Sequence, residues 1–113
     1  MSQEKSEPIF ELRQYQIFEG QMDRWVEFMD TVLIPFQRSK GMVVVGSWHV
    51  PETNQYVWIR RFDNEKERKR LYKAAYENEF WLNEAKAVVG EMVNREAGLD
   101  VKDMHPSPLS ILR

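Results

Sequence analysis

Side chains with strong hydrogen-bonding chemistry fall on two segments in which residue character alternates. Glu11, Arg13 and Tyr15 stand two apart in residues 9–18 (IFELRQYQIF), and Arg60 lies in Gln55–Phe62 (QYVWIRRF). In an extended chain, residues two apart point the same way. Glu11, Arg13 and Tyr15 therefore share one face, and Arg60 shares another with Tyr56, Trp58 and Phe62. On neighbouring strands such a set forms a cavity wall in which arginines hold an anionic or carbonyl group. Tyr15 then donates a hydrogen bond or a proton, and Trp58 and Tyr56 stack on a substrate. The same residue types also build a satisfied glutamate–arginine network at a dimer seam, and spacing is common to both. A substitution separates them. Arg13→Ala destabilises the fold or dimer by about 3–5 kcal/mol where it strands a buried partner; unchanged melting with lost ligand binding marks a pocket.

Other chemistries find little support. The chain has no cysteine, which removes disulfides, thiolate nucleophiles and cysteine-ligated zinc or iron–sulfur sites. Its histidines are His49, at a strand end, and His105, which follows Asp100 and Asp103 in one polar segment. That is a weak ligand set without a second histidine, and no metal is expected. Gly20, Gly41 and Gly46 form no phosphate loop, and no serine sits in a nucleophile elbow. Residues 65–70 (EKERKR) mix both signs and suit a solvated helix face. With 16 basic against 18 acidic side chains the chain has no general attraction to nucleic acid or anionic lipid, so neither is expected as a partner.

The elements that must position these residues follow from periodicity. A length of 113 residues suits one domain with one core, expected over 9–113 behind a flexible segment at 1–8. That segment is polar and lacks the apolar run of a secretory signal; no stretch approaches the ~20 apolar residues that span a bilayer, so a cytoplasmic location is expected. A first strand at 9–18 ends at Glu19-Gly20. Met22, Trp25, Val26, Met29, Val32, Leu33 and Phe36 form one helical stripe, which Pro35 kinks or shortens and Gly41 closes. Residues 42–50 and 55–62 form a hairpin. Asn64 with Glu67 resembles a capping box opening a helix to about Tyr76. A further helix covers about 79–95, residues 94–108 are mostly loop, and Leu109–Leu112 closes the fold as a short strand.

The order β-α-β-β-α-(α)-β is the ferredoxin-like split βαβ arrangement, an α+β fold with an antiparallel four-stranded sheet and its helices on one face. The aliphatic set Phe10, Leu12, Val57 and Ile59 is expected to meet the helices. The opposite set, with Tyr15, Tyr56, Trp58 and Phe62, then needs cover from another molecule. A second copy of the chain, a homodimer through the exposed sheet face, is the simplest candidate.

In these residues the chain resembles a bacterial member of the NIPSNAP-like family, within the dimeric α+β barrel superfamily. The resemblance runs over about residues 9–112, through Glu11-Leu12-Arg13-Gln14-Tyr15, Ile34-Pro35 before Gly41, Gly46-Ser47-Trp48, Tyr56-Val57-Trp58-Ile59-Arg60-Arg61-Phe62, and Tyr76 with Phe80-Trp81. It implies two four-stranded sheets joined face to face into one barrel with helices outside. The superfamily holds cofactor-independent monooxygenases, isomerases and haem proteins besides members without known activity, so fold does not settle function. Many family members carry a histidine where this chain has Trp58 and a tryptophan where it has Arg60, so no role of that histidine carries over. The related haem-degrading barrels place a histidine on a helix; no predicted helix here has one, and no cofactor is expected.

The reading that results is a dimeric barrel protein binding a small apolar or aromatic metabolite in a sheet-lined cavity. Its candidate pocket residues are Glu11, Arg13, Tyr15, Trp48, Tyr56, Trp58 and Arg60. The alternatives are a cofactor-independent monooxygenase- or isomerase-like enzyme and a non-catalytic protein-interaction module. The cavity discriminates these two: an enzyme needs open space of at least roughly a few hundred Å³ between the polar groups, which a module would fill with Trp58, Tyr56 and Phe62.

Overall fold

Alternating residues at Ile9–Gln16 form β1, which ends two residues earlier than its pattern suggests; Gly20 then turns the chain with a φ of 82° open to glycine. A helical stretch follows: α1 (Met22–Phe28), a π-helical turn (Met29–Leu33) and α2 (Ile34–Ser39). Pro35 neither shortens nor ends this stretch. It cannot donate to the carbonyl one turn back, and the helix widens into the π-helical turn just before it. Gly41, at φ 99°, closes α2 while Met42 N–H returns to the Gln37 carbonyl at 3.0 Å. The computed structural model describes residues 7–113, so most of the flexible segment expected at 1–8 lies outside the described residues.

β2 (Val43–Val50) and β3 (Gln55–Phe62) form the expected hairpin, with a bulge between Val44 and Gly46. The Asn64 side chain accepts the Glu67 N–H at 2.8 Å and opens α3 (Glu65–Tyr76). A second π-helical turn (Trp81–Ala85) leads into α4 (Lys86–Met92), and β4 (Leu99–Met104) completes an antiparallel sheet in the order β2-β3-β1-β4. No helix among the described residues is long and apolar enough to cross a membrane.

Two expectations are corrected. The last strand is Leu99–Met104 rather than Leu109–Leu112, whose Leu109 and Ile111 are almost wholly exposed. Asp100, Lys102 and Asp103 read as loop, yet an edge strand with solvent on its outer side accommodates charge at such positions. The second correction concerns the faces of the sheet. The helices cover the side carrying Glu11, Tyr15, Tyr56, Trp58, Arg60 and Phe62, which are buried within a single chain. Trp25 of α1 meets Tyr56 edge-on at 5.7 Å between ring centroids and Tyr15 at 6.0 Å. Alternation sorts residues into two faces without saying which one the helices take. Here the large aromatics of the helices find partners of matching size on the aromatic face. The open face is the aliphatic one, with Leu12, Val57 and Ile59 half-buried beside Trp48.

Candidate functional site

A cavity of about 340 Å³ lies between the covered face of the sheet and the helices. The sheet supplies Arg13, Tyr15 and Trp58, with Leu99 from β4. Trp25, Leu33 and Gln37 descend one side at intervals of eight and four, multiples of the spacing that stacks side chains on one helix face. Tyr76, Trp81 and Val89 form the other side, and Arg95 follows α4. Leu33 and Trp81 belong to the two π-helical turns, a helix irregularity frequent at functional sites.

Behind the cavity the register of β1 against β3 sets Glu11 beside Arg60 and Arg13 beside Trp58. Arg60 is 0 % exposed and Glu11 1 %. Arg60 Nε and Nη2 donate to Glu11 Oε1 at 3.1 and 2.6 Å. Nη2 also reaches the Tyr72 hydroxyl at 2.9 Å, and Nη1 donates to Gln37 Oε1 at 3.0 Å and the Tyr76 hydroxyl at 2.6 Å. Every nitrogen of Arg60 is thus answered, and a buried guanidinium requires this. Tyr72 donates a short hydrogen bond to the other Glu11 oxygen. Burial by itself pushes the Glu11 carboxyl up, but the charge of Arg60, the hydrogen bonds from Tyr72 and Arg60, and the charge of Arg13 outweigh it and hold it at about 2. Burial also raises the Tyr72 hydroxyl and pushes Tyr56 up to about 12, so both stay protonated at neutral pH.

Arg13 differs from Arg60. Its Nε donates to the Tyr15 hydroxyl at 2.8 Å, and Nη1 to Glu11 Oε1 at 2.9 Å and Tyr72 at 3.4 Å; Nη2 has no acceptor among the described residues. Tyr15 and Tyr76 accept from arginines, and among the described residues their own hydroxyl protons reach no acceptor. What the polar wall has to spare is therefore donors. On the far side of Glu11, Arg68 is held by Glu65 and Asp103 in a broader surface groove.

Of the residues expected in the pocket, Arg13, Tyr15 and Trp58 line the cavity, while Glu11 and Arg60 support it from behind. Tyr56 packs on Trp25 without reaching the cavity, and Trp48, 51 % exposed, stands on the opposite face of the sheet. The structure adds Gln37, Tyr72, Tyr76, Trp81 and Arg95. Gln37, a buried polar residue in line with Trp25 and Leu33, carries a signal in sequence; Tyr72 and Tyr76 share a helix face at four-residue spacing. Asp100, Asp103 and His105 are engaged separately, with Lys102, Arg68 and the Pro8 carbonyl.

The NIPSNAP family model matches residues 10–98. The structure is similar to a NIPSNAP family protein of unknown function from Agrobacterium tumefaciens, at a TM-score of 0.84 and 18% identity over 100% of both chains. A second NIPSNAP family protein from that organism gives 0.83 at 16% identity, over 100% of this chain and 97% of the other. An uncharacterized NIPSNAP-like domain protein from Burkholderia xenovorans gives 0.81 at 16% identity, over 94% of this chain and 90% of that one. At these identities the likeness shows a shared fold. No curated protein matches the chain.

Proposed function

The chain belongs to the NIPSNAP family, and from that premise we propose that it binds a small apolar or aromatic metabolite in the cavity between sheet and helices. The observation that carries this reading is open space of about 340 Å³ beside buried polar groups, walled by Trp25, Trp58 and Trp81. Ligand sites are commonly of this kind, about 300–1,000 Å³, largely apolar and provided with a few placed polar groups. Arg13 and Tyr15 supply those groups. The binding reading supposes no chemical step.

A homodimer through the open sheet face belongs to the same proposal, on different grounds from the sequence argument. Leu12, Val57, Ile59 and Trp48 form an apolar surface with no cover from the chain's own helices, and a self-complementary contact buries it twice over. A cytoplasmic location is also proposed, supported by the cysteine-free composition.

Native mass spectrometry of protein purified without refolding tests both parts. A species near twice 13.6 kDa with a reproducible small adduct is the expected result. A bare protein that also binds no member of a small aromatic and aliphatic library at millimolar concentration overturns the ligand reading. A monomer overturns the dimer.

A further inference from the structure

We propose that the ligand of this cavity is a monocarboxylate, its anionic end held by Nη2 of Arg13 and its apolar body lying among the tryptophans. This deepens the binding reading above and rests on it. The lining includes two arginines, Arg13 and Arg95, and no aspartate or glutamate. Every other nitrogen of the Arg13 guanidinium is engaged, which fixes the direction of the remaining donor. The hydroxyl protons of Tyr15 and Tyr76 and the indole N–H groups of Trp25 and Trp58 are further unused donors in the residues of the wall.

The charges point the same way. Glu11 is the single carboxylate bonded to Arg13 and Arg60, and the acids that answer Arg68, Glu65 and Asp103, stand half-exposed in the outer groove. On the cavity side Arg13 and Arg60 share the one counterion Glu11, exposed Arg95 has none among the described residues, and buried charge is stable when paired. A carboxylate suits the wall better than a phosphate. Its single charge matches the one that Glu11 leaves unanswered on Arg13 and Arg60, whereas a phosphate dianion brings a second charge into a wall that is largely apolar. The remaining wall of Trp25, Leu33, Trp58, Trp81, Val89 and Leu99 accepts an aryl or alkyl body.

Calorimetric titration with two matched pairs tests this: phenylacetate against phenylacetamide, and octanoate against octanamide. In each pair the shape is kept and the charge removed. The acid is expected to bind at least about tenfold more tightly than its amide, the worth of one hydrogen bond to a charged group. In Arg13→Gln that preference is expected to fall to within about threefold, while circular dichroism shows the variant folded. Equal affinity of acid and amide for the unaltered protein overturns the carboxylate and leaves the cavity reading standing. Failure of all four compounds to bind at millimolar concentration overturns both. Should Arg13→Gln not fold, Arg13→Lys takes its place, keeping a cation beside Glu11 while removing the Nη2 donor. A preference undiminished in whichever variant folds overturns the assignment to Nη2 of Arg13.

Discussion

Nη2 of Arg60 lies 2.6 Å from Oε1 of Glu11, and neither side chain reaches solvent. The two sit opposite each other on β3 and β1, so the strand register that builds the sheet also builds the ion pair. The Arg60 guanidinium further stands 4.9 Å from the ring of Trp58 and 5.2 Å from that of Tyr72, which ties the pair to a cavity wall and to α3. The pair is structural support; the guanidinium nitrogen without an acceptor among the described residues, Nη2, belongs to Arg13.

That division predicts unequal costs. Arg60→Met leaves Glu11 without its closest charged partner and strands Gln37 Oε1, and is expected to cost about 3–5 kcal/mol. Arg13→Gln leaves Glu11 with Arg60 and Tyr72, so its expected cost is below about 2 kcal/mol, near that of one charged hydrogen bond. Urea unfolding of both variants measures this, and equal losses would show that Arg13 is as structural as Arg60.

Glu11 gives a pH dependence with a defined sign. Its carboxyl is held at about 2 in the fold against 4.5 ordinarily, so its contribution is complete above about pH 4.5 and disappears as pH falls toward 2. The contribution is on the order of 3 kcal/mol. Unfolding free energy measured across that window should fall more steeply for the unaltered protein than for Glu11→Gln. Parallel curves would remove Glu11 from the acid response.

Filling the cavity should separate binding from stability. Leu99, on β4 beside Tyr15, packs at the edge of the core and lines the cavity, and Leu99→Trp extends an indole into the open space beside it. Stability is expected to stay within about 1 kcal/mol of the parent while ligand binding is lost. Retained affinity in calorimetry would locate the ligand elsewhere.

The fold was largely legible in residue order, and the site only in part. β3 and the Asn64-capped helix stand out because alternation and capping are local. β4 does not, because Asp100, Lys102 and Asp103 are compatible with loop and with edge strand alike. Parity groups Arg13, Tyr15 and Trp58 correctly, yet it carries no information on which face the helices choose, and Trp48 falls on the other side. Tyr72, Tyr76 and Trp81 join the site through long-range packing that spacing does not encode. Gln37 is the exception, a polar residue on the buried stripe with Trp25, Met29 and Leu33.

The open face supplies a prediction for assembly. Ile59, which pairs with Leu12 across the strands and is half-buried, lies in the middle of the aliphatic surface. Ile59→Lys sets a charge there without touching the cavity, and is expected to shift sedimentation from the proposed dimer to monomer with the circular dichroism spectrum kept. An unshifted dimer would assign the contact to another surface.

The two π-helical turns act as slack in the helices. Each carries one residue more than a regular helix would need and absorbs it locally, because the N–H five residues on bonds where the fourth ordinarily would. Removing one residue within Met29–Leu33 would close a regular turn and keep Gln37 facing Arg60, whereas a deletion in an unbroken α-helix turns everything downstream by about 100°. A deletion within Trp81–Ala85 would likewise leave Val89 in the cavity wall. In this architecture a wall of the cavity tolerates a change of helix length at two defined places, with every side chain of the sheet left as it is.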